Sequence, residues 1–175
     1  MMLKYKCLVL DHDDTVVQSE ATVNYPFFCY ILNEFRPGSK ITLQEYTDGC
    51  FRLGFSEMCR QLYGFSDREL EEEYRSWQQY IRNHTPDPFD GIERIIRRQK
   101  EEGGMLCVVS HSCEENITRD YAAHFGILPD AIYGWDYPEA QRKPYPFPLN
   151  DIMQRFGFQK HEILVVDDMK PAYEM

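Results

Sequence analysis

The chain has 175 residues, of which 43% are hydrophobic and 27% are charged, and its mean hydropathy is -0.55. A chain of this size buries roughly 70% of the surface that it exposes when unfolded, so one domain, with or without an insertion, has a substantial core. The formal net charge of -10 opposes a nucleic-acid backbone, and no apolar run approaches the length of a membrane span. We therefore expect a globular protein that binds neither nucleic acid nor a membrane.

The cysteines indicate a compartment. The six cysteines show neither a CxxC pair nor a Cys/His metal-binding pattern, which favours buried free thiols in a reducing environment. The N-terminal residues lack the charged and apolar regions of a secretory signal. We therefore predict a cytoplasmic protein, and the sequence does not specify its oligomeric state.

Three short apolar segments each end at, or directly before, a polar residue that could carry chemistry. They are Lys4–Leu10, Met105–Ser110 and Glu162–Asp168, and Ala131–Trp135 is a weaker candidate strand. Helices predicted from apolar periodicity separate these strands: Asp90–Glu102, Ser112–Phe125 and Leu149–Phe156. Strands that alternate with helices predict an α/β fold with a parallel sheet, whose functional groups gather at the carboxyl ends of the strands. We expect the polar strand ends to meet there.

Residues 19–84 interrupt this alternation, because the segment is too long for one crossover and shows helical periodicity. This pattern predicts an inserted α-helical subdomain, with the α/β core formed by residues 1–18 and 85–175. The clearest inserted helix begins at Ser66, and Glu69 completes a capping box there.

The stretch CLVLDHDDTVVQS places Asp11, Asp13 and Asp14 directly after the first strand. Three carboxylates at the end of a buried strand repel one another unless a cation or protons compensate. An EF-hand loop is excluded, because its sixth and twelfth positions would be Val16 and Thr22. Carboxylate ligands without a Cys/His cluster favour magnesium over zinc. We therefore predict a Mg²⁺ site, where the ion commonly bridges to a phosphate.

These aspartates also begin a family pattern. DHDDT at residues 11–15 resembles the first motif, DxDxT, of the haloacid dehalogenase (HAD) superfamily. VVS ending at Ser110, RKP with Lys143, and LVVDD with Asp167 and Asp168 resemble its second, third and fourth motifs, in the same order. The resemblance implies a Rossmann-like HAD core. The position of the insertion implies the superfamily's C1-type helical cap. The chain thereby resembles the phosphatase branch that includes relatives of phosphoglycolate phosphatase and of β-phosphoglucomutase.

The resemblance implies a role for each motif residue. Asp11 would be the nucleophile that forms an aspartyl-phosphate, and Asp13 would be the acid/base. Ser110 would bind a phosphoryl oxygen, and Lys143 would neutralise charge. The implied activity is the Mg²⁺-dependent hydrolysis of a small phosphorylated metabolite. Two alternatives stay open: a phosphomutase that returns the phosphoryl group to its substrate, and a non-catalytic HAD-like binding scaffold.

The same resemblance implies the magnesium ligands. They are the Asp11 side chain, the Asp13 backbone carbonyl and a carboxylate of the fourth motif. We favour Asp168 as the direct ligand, with Asp167 either supporting the site or ligating in its place. Asp14 stands where the superfamily more often has glycine.

Three further residues flank the motifs. His12 and His111 lie beside motif residues, where they either touch substrate or pack inward, and Ser112 is expected to be a helix N-cap in a capping box with Glu115. In the family a further helix and strand follow the fourth motif. The resemblance therefore implies that the C-terminal part of the core lies beyond Met175, which would leave one sheet edge uncovered.

Overall fold

A computed structural model describes residues 3–170, 172 and 175 of the chain. The chain divides into two compact units, Met1–Gln18 with Asp87–Met175, and Ser19–Pro86. The second boundary therefore lies two residues after the position expected from the sequence.

The first unit is built on a four-stranded parallel sheet. Its strands are β1 (Cys7–Leu10), β2 (Met105–Val109), β3 (Ala131–Tyr133) and β4 (Ile163–Val166). Their order across the sheet is β3-β2-β1-β4. Nearly continuous apolar sequences suit strands of a parallel sheet, because helices cover both faces. The predicted α/β fold with a parallel sheet is confirmed.

The helices have the following bounds in chain order: α1 Tyr25–Phe35, α2 Leu43–Leu53, α3 Phe55–Tyr63, α4 Asp67–Ile81, α5 Ile92–Glu101, α6 Glu114–Phe125 and α7 Phe147–Phe156. In the part of the chain that the structure describes, no helix is both long enough and apolar enough to span a bilayer.

Alternate residues of each strand face opposite sides of the sheet, so the first unit has two cores. On one side Leu8, Leu10, Leu106 and Val108 pack against apolar side chains of α5 and α6. On the other side Cys7, Val9, Cys107 and Val109 form a cluster with Ile152 of α7. This two-sided packing fixes the register of the strands, because a shift by one residue would turn every side chain to the wrong face.

The start of α6 differs from the sequence prediction. Cys113, not Ser112, is the N-cap residue, and the predicted capping box with Glu115 is wrong. Ser112 donates its backbone N–H to Ser110 Oγ over 3.2 Å, and its carbonyl accepts the Trp135 N–H over 2.9 Å. These contacts hold Ser112 in the loop after β2, so the helix begins later.

The second unit is helical and has a core of its own. Phe28 lies at its centre, with ring centroids 5.2 Å from Tyr46 and 5.7 Å from Phe55. Met58 is fully buried in the same cluster. Aromatic pairs at these distances stabilise a small core beyond the area that they bury.

The start of α4 is held by the predicted capping box. Ser66 Oγ accepts the Glu69 N–H, and the Glu69 carboxylate accepts the Ser66 N–H over 2.8 Å. Arg36 donates to the same carboxylate over 2.7 Å. The hydrogen bond from Arg36, followed by those from Ser66, lowers the pKa of Glu69 to about 2.

We expect Glu69 to make the stability of the protein depend on pH. Its pKa is lower in the folded chain than the value of about 4.3 for an unfolded chain, so its contribution is present above that value and is lost as the pH falls towards 2. Glu69→Gln should lower the urea midpoint at pH 7 and have a progressively smaller effect at lower pH. Glu72→Gln, at an exposed position of α4, is the control. An equal loss for Glu69→Gln at pH 7 and pH 2.5 would contradict this assignment.

Candidate active site

Strand register brings the polar strand ends to one edge of the sheet. Leu10 of β1 pairs with Val108 of β2 on one side and with Val166 of β4 on the other. The next residue of β1, Asp11, donates its N–H to the Val166 carbonyl over 2.9 Å. Backbone hydrogen bonds of this kind hold the first residues beyond the strands in place, so that their side chains leave the sheet from fixed positions.

Ser110 is positioned in the same way at the end of β2. Its N–H donates to the Tyr133 carbonyl of β3 over 3.0 Å, and the side chain is almost completely buried. Its hydroxyl oxygen accepts the Ser112 N–H. The loop after β2 thereby orients the hydroxyl that the second motif supplies.

Lys143 brings a buried cation to this edge. Its Nζ donates to Asp167 Oδ2 over 2.8 Å and lies 3.3 Å from Asp11 Oδ1. The side chains of all three residues are at most 5% exposed. Asp11 Oδ1 forms no hydrogen bond with the described residues, so its contact with the ammonium is electrostatic rather than a hydrogen bond. Two carboxylates around one ammonium compensate charges that would be costly to bury singly.

Burial raises the pKa of Asp11 to about 7, and the like charge of Asp167 adds to the increase. Lys143 acts in the opposite direction, as do hydrogen bonds from the His12 backbone and the Ser110 side chain. The desolvation that Lys143 and the hydrogen bonds do not offset therefore destabilises the charged form of Asp11. A further cation beside this carboxyl would favour its ionised form.

The carboxylates can hold such a cation. Asp11, Asp167 and Asp168 each offer one oxygen, and these atoms lie within 4.8 Å of one another. Asp167 uses Oδ2 for Lys143 and accepts the Met169 N–H at Oδ1 over 2.8 Å. Asp168 is exposed and accepts no hydrogen bond from the described residues. A hard divalent cation fits this all-oxygen set, and Asp168 has the more available oxygens.

Asp13 and Asp14 lie in the tight loop that follows Asp11. The Asp14 N–H donates to the Val17 carbonyl over 2.7 Å, and the backbone of Asp14 has φ 52°. This left-handed conformation is one that glycine adopts freely and aspartate adopts more readily than most residues. It explains both the usual glycine and the aspartate found here. Asp13 is half-buried, and its side chain lies outside the carboxylate group described above.

The two histidines beside the motifs have different surroundings. His12 is buried, and its Nε2 lies 3.0 Å from Asp120 Oδ2. His111 is exposed, and its Nε2 lies 2.9 Å from the Lys143 carbonyl oxygen, to which it donates. The sequence prediction did not include Asp120. The sequence feature that could have identified Asp120 is its position beside Tyr121, on the apolar face of a predicted helix.

A family profile described as haloacid dehalogenase-like hydrolase matches residues 8–174. This match spans all four motifs and nearly the whole chain. No curated protein sequence matches this chain significantly.

Solved structures show the same fold. A predicted phosphoglycolate phosphatase from Haemophilus somnus 129PT has a TM-score of 0.75 and 20% identity, over 99% of this chain and 81% of its own. A HAD-superfamily hydrolase of subfamily IA, variant 1, from Geobacter sulfurreducens has a TM-score of 0.75 and 17% identity, over 98% and 82% of the two chains. CbbY from Rhodobacter sphaeroides, in complex with xylulose-1,5-bisphosphate, has a TM-score of 0.64 and 15% identity, over 97% and 80%. The family resemblance of the motifs is therefore confirmed: the chain belongs to the haloacid dehalogenase-like hydrolase family.

Proposed function

We propose that the protein is a Mg²⁺-dependent phosphatase that hydrolyses a small phosphorylated metabolite through an aspartyl-phosphate intermediate. The observation that carries the proposal is the buried Lys143 between Asp11 and Asp167, at the carboxyl ends of β1 and β4. A nucleophile beside a fixed cation is suited to phosphoryl transfer, in which positioning and charge stabilisation supply most of the catalysis. Two solved relatives support the substrate class, one described as a predicted phosphoglycolate phosphatase and one in complex with a sugar bisphosphate.

The first step transfers the phosphoryl group to the enzyme. A carboxylate oxygen of Asp11 attacks phosphorus, and the bond from phosphorus to the leaving oxygen breaks. Asp13 gives its carboxyl proton to that oxygen, so the product leaves as a neutral alcohol. Lys143 and the Ser110 hydroxyl stabilise the charge on the phosphoryl oxygens.

The second step releases phosphate. Asp13, now ionised, takes a proton from a water molecule as the water oxygen attacks phosphorus. The bond from phosphorus to the Asp11 oxygen breaks, which restores the Asp11 carboxylate and leaves Asp13 protonated for the next cycle. One pair of aspartates thereby completes both displacements.

The side chains of Asp11 and Asp168, with the Asp13 backbone carbonyl, would hold Mg²⁺. When bound, the ion supplies charge neutralisation at the carboxylates and the phosphoryl group. We further propose that Ser19–Pro86 is the family's C1-type cap, because it is helical and is inserted between the first and second motifs. The net charge of -10 disfavours a nucleic-acid partner, and the six free cysteines favour a cytoplasmic enzyme.

Asp11→Asn should abolish phosphate release from p-nitrophenyl phosphate, because the amide oxygen is a far weaker nucleophile than a carboxylate. We expect kcat to fall by at least about 10³-fold with the fold retained by circular dichroism. Asp14→Gly is the matched control in the same loop, and it should keep its activity because glycine adopts φ 52° without strain. Equal turnover by Asp11→Asn and the wild type would exclude the mechanism.

A second assay separates hydrolysis from phosphoryl return. The wild type should release inorganic phosphate steadily from a sugar monophosphate, because water is the second acceptor. Conversion to an isomeric sugar phosphate without steady phosphate release would identify a phosphomutase instead. Activity absent towards a broad panel of phosphorylated metabolites, with the fold and metal binding intact, would favour the scaffold alternative.

The metal assignment can be tested without turnover, with Mn²⁺ as a spectroscopic substitute for Mg²⁺. We expect Asp168→Asn to weaken Mn²⁺ binding, measured by electron paramagnetic resonance, at least about 10-fold more than Asp167→Asn. The reason is that Asp167 already binds Lys143 and the Met169 N–H. Asp14→Asn controls for the loss of one nearby charge. The reverse order of the two main variants would make Asp167 the direct ligand.

A further inference from the structure

The first unit contains a buried polar pair that the proposed mechanism does not use. The side chains of His12 and Asp120 are 1% and 2% exposed, and His12 Nε2 lies 3.0 Å from Asp120 Oδ2. The residues are 108 positions apart, one directly after Asp11 and the other on α6. A carboxylate in an apolar core is costly unless it is paired and hydrogen-bonded. The pair meets this condition next to the first motif, because His12 directly follows Asp11.

Both oxygens of the Asp120 carboxylate are occupied. Oδ1 accepts the Arg119 Nε–H over 2.7 Å, and Oδ2 faces the His12 ring. One proton lies in the contact between His12 Nε2 and Asp120 Oδ2, which joins a ring nitrogen to a carboxylate oxygen. The neighbouring residue of α6, Tyr121, stacks on the imidazole with a centroid distance of 5.9 Å. Consecutive residues of α6 therefore fix the plane and the orientation of the His12 ring.

The backbone of His12 in turn holds the loop that carries the two acting carboxylates. It directly follows Asp11, whose own N–H donates to the Val166 carbonyl of β4 over 2.9 Å. The His12 carbonyl accepts the N–H groups of Val16 and Val17 over 2.9 and 3.1 Å. His12 thus follows Asp11 directly in the chain, and its carbonyl closes the loop that contains Asp13. A contact that restrains the His12 side chain therefore also restrains Asp11 and the loop that contains Asp13.

We propose that Asp120 is a positioning residue, which acts through the His12 side chain to hold Asp11 and Asp13 in the geometry for phosphoryl transfer. The inference rests on the proposed phosphatase function and adds to it a residue outside the four motifs. Asp120 touches neither the nucleophile nor the acid/base in this arrangement. Its effect arises because small misplacements of reacting groups cost large factors in rate.

The test replaces both partners together. A single apolar substitution would leave one buried polar group unpaired and could unfold the protein, whereas His12→Leu/Asp120→Leu removes both. We expect this double variant to melt close to the wild-type temperature, with KM for p-nitrophenyl phosphate little changed and kcat about 100-fold lower. Asp120→Asn should keep kcat within about 10-fold of the wild type, because its side-chain amide can still hydrogen-bond to the His12 ring. A double variant with wild-type kcat and stability would overturn the proposal.

A structural ion pair elsewhere in the unit is the control. Asp130 accepts from Lys100 Nζ over 2.7 Å and from the Leu106 N–H over 2.8 Å, near the start of β2 and away from Ser110. Asp130→Asn should lower the melting temperature without lowering kcat. Loss of kcat in proportion to stability in both Asp130→Asn and the double variant would reduce the role of Asp120 to folding.

A second measurement separates this inference from the proposed function. If the wild type hydrolyses no phosphate ester, the phosphatase proposal fails, but the positioning of Asp11 can still be measured by Mn²⁺ binding. The double variant changes no proposed metal ligand, yet it should weaken Mn²⁺ binding by about 10-fold because the Asp11 loop is released. Unchanged Mn²⁺ affinity in an enzyme without phosphatase activity would reject the positioning role as well.

Discussion

The buried ammonium of Lys143 is the contact on which the site depends. It lies 2.8 Å from Asp167 Oδ2 and 3.3 Å from Asp11 Oδ1, and all three side chains are nearly inaccessible to solvent. An isolated charge in such surroundings would be too costly to bury, so each member requires the others. Asp11 and Asp167 follow neighbouring strands, and parallel pairing is what delivers them to the same edge. The charge pairing in the site therefore depends on the order of the strands in the sheet.

The compensation of charge at this edge is incomplete. Burial raises the pKa of Asp11 to about 7 in spite of Lys143. The exposed Asp168 lies close enough to share a cation with Asp11. A cation held there would lower the cost of ionising Asp11. Asp14, whose backbone is left-handed, allows the chain to turn between Asp13 and the following residues.

Local sequence signals succeeded where the interactions themselves are local. The capping box of Ser66 and Glu69 forms because both partners lie within one helical turn. The same signal failed for Ser112 and Glu115, although the spacing is identical. There the backbone of Ser112 is held by Ser110 and Trp135, and those contacts outweigh a cap that contributes only about 1 kcal/mol. The tertiary arrangement of the loop after β2 determines where α6 begins.

The sequence by itself determined the fold class, the family and the identity of the motif residues. Apolar segments followed by polar residues can be recognised from the order of amino acids alone. The register of the parallel strands places the polar residues at their ends side by side. This register follows from the alternation of side chains along each strand. Only the tertiary structure decided that Lys143 bonds to Asp167, that His111 supports the Lys143 carbonyl, and that Asp120 pairs with His12. These partners lie 24, 32 and 108 residues apart. Contacts over such separations depend on packing directions that no local pattern encodes.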